Sequence, residues 1–184
     1  MKALKSWKIA ALLTVLVVLL SLTFGVHRSV SARARAIETM FTQGVDGSGY
    51  GIAGDLSDRA ESAGVLIKLA QKYAGAETET LEVQSALTAL DAARTASEKY
   101  AANSALTDAV TALRLAMEEL ALSEQDASYL KNYTASFDSS EMTLEREAEK
   151  YNEEVRQYQS EVCGGLPVRL LGRIAFLPDV EAFE

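Results

Sequence analysis

The sequence predicts an all-α fold in which one N-terminal transmembrane helix is followed by an elongated antiparallel helical bundle. An uncharged apolar run fills Ile9–Val26, and further along the chain apolar residues recur at alternating steps of three and four. This spacing places them on one face of each helix and favours helix crossing angles of about 20°. Both prolines lie near the end of the 184 residues, and no stretch alternates with period two for long enough to predict a strand. We therefore expect an anchor at 1–30, a juxtamembrane helix and glycine-rich hinge at 31–55, and a helical bundle with an apolar tail at 56–184.

The apolar run Ile9–Val26 has the length of a membrane span. Its 18 residues would form a helix of roughly 27 Å, close to the roughly 30 Å hydrocarbon core of a bilayer. Three lysines precede the run and three arginines follow it closely, so the positive-inside rule is nearly balanced. The additional charge of the N-terminal amino group favours a cytoplasmic N-terminus, a single-pass topology and a body on the exported side.

A cleavable signal peptide is the alternative interpretation of the same run. The small residues of Val30–Ala32 would suit cleavage after Ala32. However, the apolar core of a signal peptide usually has about 7–15 residues, and this run is longer. His27 and Arg28 would also place charge between the run and the cut. These features favour a retained anchor.

The composition of the rest of the chain excludes several classes of partner and chemistry. Three of the 18 basic residues precede the apolar run and none of the 26 acidic residues does, so residues 27–184 carry a net charge of −11. Such an acidic body is a poor ligand for phosphate backbones, and nucleic acid is not an expected partner. Cys163 is the single cysteine and His27 the single histidine, so neither a nucleophilic pair nor a metal-ligand set is predicted. We expect no cofactor, no metal and no enzymatic activity.

Between the anchor and the bundle, the helix is expected to continue over Ser31–Gln43 and then to break. Five glycines fall within residues 44–54, a density that indicates a loop or a flexible hinge. The segment lacks the Lys-Ser/Thr ending of a phosphate-binding loop.

Three bundle helices are expected. The first carries its apolar face from Leu56 onward and ends near Gly75, and Thr78 or Thr80 is expected to cap the second. Asn103 and Ser104 are positions where the second helix could kink or divide. The third helix covers 123–162, with Glu141 as the single polar residue in its apolar stripe and a capping-box pattern at Asp138–Glu141 that would allow a break near Ser139. Its acidic residues are expected on a solvated face: Glu145, Glu147, Glu149, Glu153 and Glu154.

The end of the chain, Leu144–Phe183, resembles the signature of the LemA family. That signature has two Tyr-Asn pairs seven residues apart on a long helix, then an aromatic-Pro element, an apolar segment and a Gly-Phe pair. The corresponding residues here are Tyr151-Asn152, Tyr158-Gln159, Leu166-Pro167 and Ala175-Phe176. The family's arginine-rich first helix with an Ile-Pro-Asn motif corresponds to residues 56–75, where Arg59 alone remains of the arginines. The resemblance implies a membrane-anchored bundle of long helices and no established catalytic activity.

The residues that carry the resemblance are the candidate binding residues. Two interpretations are open: the tyrosine face packs in the bundle core, or it receives a partner helix or the chain's own tail. The apolar tail at 163–184 would pack back on the bundle, lie on the membrane surface or fill a groove on a partner. The candidate partner-binding residues are Tyr151, Asn152, Tyr158, Gln159, Pro167 and Phe176.

These observations favour a noncatalytic membrane-anchored scaffold or adaptor at a bacterial cell envelope, with a membrane or envelope protein as its partner. The heptad-like faces suit packing within the chain or coiled-coil packing between two copies, so a homo-oligomer is also an expected arrangement. The alternative is a secreted ligand-binding or structural bundle released by cleavage after Ala32. An enzyme with an unfamiliar carboxylate site is a third hypothesis.

Overall fold

The computed structural model describes residues 2–165, 168 and 178–184, and these residues confirm the predicted all-α fold. No strand occurs among them. The helices in this part of the chain are α1 (Lys2–Gln43), α2 (Ile52–Ala70), α3 (Glu77–Ala92), α4 (Ala96–Glu118), α5 (Glu124–Gln157) and a π-helical turn (Tyr158–Cys163) that continues α5. They belong to two compact units. The first unit contains residues up to Glu38 and from Glu154 to Val180, and the second contains Thr39–Glu153 and Glu181–Glu184.

In the first unit, α1 changes from exposed to buried at Val30. Its large apolar side chains from Trp7 to Phe24 are about half exposed or more. From Val30 onward a stripe with helical spacing is buried, and Val30, Ala34 and Ile37 are each at most 3% exposed. Beside this stripe, Arg33 forms an ion pair with Glu154 at 2.9 Å. By length and composition α1 is the one helix in the described part of the chain that could span a membrane, and its apolar window is not buried by protein.

In the second unit, α2, α3 and α4 pack together, and most of the apolar positions that the 3/4 spacing predicts on their inner faces are buried. α3 and α4 form a helical hairpin because only residues 93–95 separate them. The core side chains from the three helices include Leu56, Ala63, Ile67, Val83, Leu90, Leu106, Val110, Leu113 and Met117. The start of α5 joins this unit where Asp126 accepts hydrogen bonds from Tyr73 and Lys72 at 2.7 and 2.9 Å.

Several helix ends differ from those predicted. α2 begins at Ile52, so Gly54 lies inside a helix, and α3 begins at Glu77, so neither Thr78 nor Thr80 is its cap. The helix does not divide at Asn103–Ser104, which lie within α4; the division falls instead at residues 93–95, between α3 and α4. α4 instead begins after Thr95, whose side chain accepts from Glu98 N while the Glu98 carboxylate accepts from Thr95 N, which satisfies two helix N-terminal amides. α5 runs through Ser139 without a break.

The glycine-rich segment after α1 forms a hydrogen-bonded turn. Gly44 N donates to Met40 O and Gly49 N donates to Gln43 O, both at 2.9 Å. Gly44 has a φ of +78°, in the left-handed region that favours glycine. A Cβ on Gly51 would lie 2.5 Å from Gly44 N and 2.8 Å from Met40 O, so only glycine fits there. A hinge function for this segment stays a prediction.

Candidate functional site

The second unit contains a charged group in its interior. Arg59, on α2, is fully buried. Its guanidinium donates from Nε to Asn103 Oδ1 at 2.8 Å and from Nη2 to Thr107 Oγ1 at 2.6 Å, and both acceptors lie on α4. Its Nη1 donates to the carbonyl oxygen of Phe137 on α5 at 3.0 Å. One side chain therefore connects three helices.

The positive charge of Arg59 has an acidic and an aromatic neighbour, both on α5. Glu141 Oε2 lies 3.3 Å from Arg59 Nη1, and the Phe137 ring centroid lies 3.8 Å from the guanidinium carbon. Burial lowers the pKa of Arg59, while the negative charge of Glu141 acts in the opposite direction. An arginine remains protonated in proteins. We call Arg59, Asn103, Thr107, Phe137 and Glu141 the arginine centre.

One helical turn before Arg59, a second buried group carries an unsatisfied oxygen. Asp55 is 2% exposed, and its Oδ2 has no hydrogen-bond partner among the described residues. Burial raises the pKa of Asp55 to about 6, and the negative charges of Asp58 and Glu147 act in the same direction. Arg146 and Arg59 partly oppose this rise.

Glu147 does not lie on a solvated face as predicted. It is 8% exposed, and its Oε2 also lacks a partner in the described part of the chain. Its Oε1 accepts from Lys150 Nζ at 3.0 Å. Within the described residues, no group of three or more His, Cys, Asp or Glu side chains could hold a metal ion.

In the second unit, the first Tyr-Asn pair binds the end of the described chain. Asn152 Nδ2 donates to Phe183 O at 2.9 Å, and Phe183 N donates to Asn152 Oδ1 at 2.7 Å. The Tyr151 hydroxyl donates to Glu181 O at 3.1 Å. The Phe183 ring packs edge-to-face against Phe41 and Tyr100, with centroid distances of 5.9 and 5.4 Å. We call Phe41, Tyr100, Tyr151 and Asn152 the Phe183 socket.

In the first unit, the second motif pair, Tyr158-Gln159, also donates hydrogen bonds to backbone carbonyls near the end of the described chain. The Tyr158 hydroxyl donates to Pro178 O at 3.0 Å, and Gln159 Nε2 donates to Val180 O at 3.2 Å. Tyr158 is 1% exposed and Val180 3% exposed. Each of the four residues of the two pairs therefore donates a side-chain hydrogen bond to a backbone carbonyl within residues 178–183.

A comparison with known families shows where this chain belongs. The profile of the LemA family matches residues 50–184, which is most of the chain. The chain belongs to the LemA family. The resemblance predicted from Leu144–Phe183 is thus confirmed. Neither the curated proteins nor the solved structures gave a match to the chain.

For this LemA-family chain, the structure locates four of the six candidate partner-binding residues. Tyr151, Asn152, Tyr158 and Gln159 hydrogen-bond to the chain's own residues 178–183. Pro167 and Phe176 lie outside the described residues. A partner-binding role for the six residues stays a prediction.

Sequence reasoning missed the arginine centre, although the signal was present. Arg59 lies three residues after Leu56 and four before Ala63, on the apolar face of its helix. Glu141 is the polar residue in the apolar stripe of α5. Two polar residues of opposite charge on two buried faces indicate a buried ion pair. Asn103 also lies on an apolar face, three residues before Leu106.

Replacing Asp55 tests the raised pKa. Because the folded pKa of about 6 exceeds the ordinary aspartate value of 3.8, this group makes the folded state progressively less stable as the pH rises from about 4 to about 6. Asp55→Asn should remove this pH dependence and raise the free energy of unfolding at pH 7 by up to about 3 kcal/mol. The measurement is urea unfolding of the full chain at several pH values, with the exposed Asp91→Asn as the matched control. Equal pH dependence in wild type and Asp55→Asn would contradict the assignment.

Replacing Asn152 tests the Phe183 socket. Asn152→Ala removes the acceptor of the Phe183 amide and the donor to its carbonyl. Hydrogen exchange at that amide should accelerate by about tenfold or more, since a buried hydrogen bond and its desolvated partner are worth roughly 1–3 kcal/mol. The exposed Gln157→Ala on the same helix is the control and should leave this rate unchanged. An unchanged rate in Asn152→Ala would show that other contacts hold residues 181–184.

Proposed function

We propose that the chain is a noncatalytic, single-pass membrane protein that acts as a scaffold or adaptor at a bacterial cell envelope, with its body on the exported side. The observation that carries this proposal is the exposed apolar segment of α1. Its side chains from Trp7 to Phe24 are not covered by the protein. Large exposed apolar surfaces are rare on soluble proteins, and a bilayer is the environment that would cover one of this length.

The continuity of α1 supports a retained anchor over a cleaved signal peptide. The helix runs from Lys2 to Gln43 without a break. Cleavage after Ala32 would cut it between the buried residues Val30 and Ala34 and remove the first residue of the buried stripe. A secreted bundle would therefore lose packed core surface on release.

The burial of Arg59 supports a structural, noncatalytic role for the arginine centre. Arg59 is fully buried, and three of its nitrogen atoms already donate to acceptors of the protein. Because this side chain has no exposed surface, a substrate from solution would not reach its guanidinium. The motif tyrosines are likewise engaged with residues 178–181.

The surface available for a partner is on the outside of the bundle. Leu115 on α4 and Met142 on α5 are 53% and 74% exposed, although both are large apolar residues. Apolar side chains of this kind are typical contact residues in protein interfaces. We therefore propose that a partner protein contacts the bundle at Leu115 or at Met142.

The anchor is tested on the native membrane. Mass spectrometry of the mature protein should recover peptides from residues 1–8, and carbonate washing should leave the full chain in the membrane. An impermeant maleimide should label Ser48→Cys, in a Cys163→Ser background, on intact spheroplasts. Loss of residues 1–32 from the mature protein would support the secreted alternative and overturn the proposal.

The adaptor role is tested with a photo-crosslinking residue at Met142 or Leu115 in the same membrane. We expect one discrete second protein to be linked at one of these two sites. The same crosslinker at Tyr158 is the control and should link to residues 178–180 of the chain itself. Failure to link any protein from Met142 and Leu115 would contradict the adaptor role while leaving the anchor intact.

A further inference from the structure

The charges of the chain are divided unequally between its two units. The first unit, residues 1–38 and 154–180, contains nine basic and four acidic residues, whereas the second contains nine basic and 22 acidic residues. Their net charges are therefore +5 and −13. No acidic residue precedes Glu38, so the charged residues that flank the apolar run before that position are all basic. The unit that contains the apolar run thus has the sign of charge that attracts anionic lipid headgroups.

Arg28 and Arg35 lie on one outer face of α1. Both are exposed, and they are seven residues apart, which is about two helical turns. Arg28 precedes the buried Val30 by two residues, which places it about 160° around the helix from that residue. Arg35 precedes the buried Ile37 by two residues and has the same relation to it. The side of α1 opposite its buried stripe therefore carries two guanidinium groups.

The position of these arginines along α1 matches the lipid headgroup layer. α1 is continuous, so with its apolar run in the hydrocarbon core, Arg28 lies about 3 Å beyond Val26. Arg35 lies farther out, but its Nε donates to the carbonyl oxygen of Ser31 at 3.1 Å. This contact brings the Arg35 guanidinium back to the level of Ser31, roughly 8 Å beyond Val26. Because the headgroup layer is about 5–8 Å thick on each side of a bilayer, Arg28 lies within it and the Arg35 guanidinium at its outer boundary.

Other basic residues near the apolar run are less suited to bind lipid phosphates. Helical side chains lean toward the helix N-terminus, so residues that follow the run lean toward the bilayer, whereas Lys8, which precedes it, leans away. Arg33 follows the run but forms an ion pair with Glu154 at 2.9 Å. A guanidinium also matches a phosphate better than an ammonium does, because it can donate to two phosphate oxygens at once.

We propose that Arg28 and Arg35 form a binding surface for the phosphate groups of anionic phospholipids in the bilayer that holds α1. A zwitterionic headgroup balances its phosphate with its own ammonium, whereas an anionic phospholipid brings a net negative charge to the two arginines. Glu38, the first acidic residue of the chain, follows Arg35 on the side away from the bilayer. This inference rests on the membrane anchor of the proposed function and adds the class of lipid that the anchor selects.

The test measures which lipids remain bound when the protein leaves a bilayer. The full chain is placed in nanodiscs of equal parts phosphatidylglycerol and phosphatidylcholine, and native mass spectrometry counts the lipids that are ejected with it. The attraction of one basic residue to an anionic surface corresponds to about a fivefold preference. We therefore expect the wild type to retain phosphatidylglycerol over phosphatidylcholine by about tenfold or more. Equal retention of the two lipids would overturn the proposal.

Two double variants locate the preference on α1. Arg28→Gln/Arg35→Gln should bring the ratio of the retained lipids close to one. Lys8→Gln/Arg33→Gln removes the same charge from the same helix and is the matched control, which should keep most of the preference. An equal loss in both double variants would show a general effect of net charge and would overturn the assignment to Arg28 and Arg35.

Insertion into the nanodiscs separates this inference from the proposed function. Arg28 and Arg35 are exposed and lie outside the apolar run, so the double variant should insert and unfold thermally like the wild type. A wild type that does not insert would contradict the membrane anchor and, with it, the lipid surface. A wild type that inserts but retains both lipids equally would contradict the lipid surface alone.

Discussion

The guanidinium of Arg59 determines how α2, α4 and α5 can be arranged in the second unit. A charge that is fully buried is tolerated only when its donors find acceptors and its charge finds a counter-charge. Here the acceptors come from Asn103, Thr107 and the Phe137 carbonyl, and the counter-charge comes from Glu141. A shift of one residue in either α4 or α5 would remove acceptors from the guanidinium. The buried charge thus fixes the register of these helices, which apolar packing alone would define less strictly.

The last residues of the described chain are held by hydrogen bonds from side chains to their backbone. Residues 178–184 have no secondary structure of their own, so their backbone groups need partners from elsewhere. Tyr151 and Asn152 provide them in the second unit, and Tyr158 and Gln159 in the first. Gln159 can replace the family's second Asn because either amide can donate to a backbone carbonyl. In this chain the two motif pairs hold residues 178–183 through their backbone groups.

The all-α fold, the exposed span and the buried helix faces followed from the sequence, because each depends on a repeating apolar pattern. The helix ends were less predictable. The capping-box pattern occurs at Thr95–Glu98 and at Asp138–Glu141, but it starts a helix only at the first position. At Asp138–Glu141, the Glu141 side chain forms an ion pair with Arg59 instead of capping a helix, and α5 continues through this position. Apolar periodicity also gave no warning that Asp55 and Glu147 are buried, since it treats charged residues as solvated by default.

The most direct test of this account is the free energy of unfolding of Arg59→Met in the full chain. Methionine preserves much of the side-chain volume but leaves Asn103, Thr107 and Glu141 without their donor. We expect a loss of about 3–5 kcal/mol, which is typical of breaking a buried charged pair from one side. The exposed Arg94→Met should change stability by no more than about 0.5 kcal/mol. An Arg59→Met protein as stable as the wild type would contradict the central role of the arginine centre.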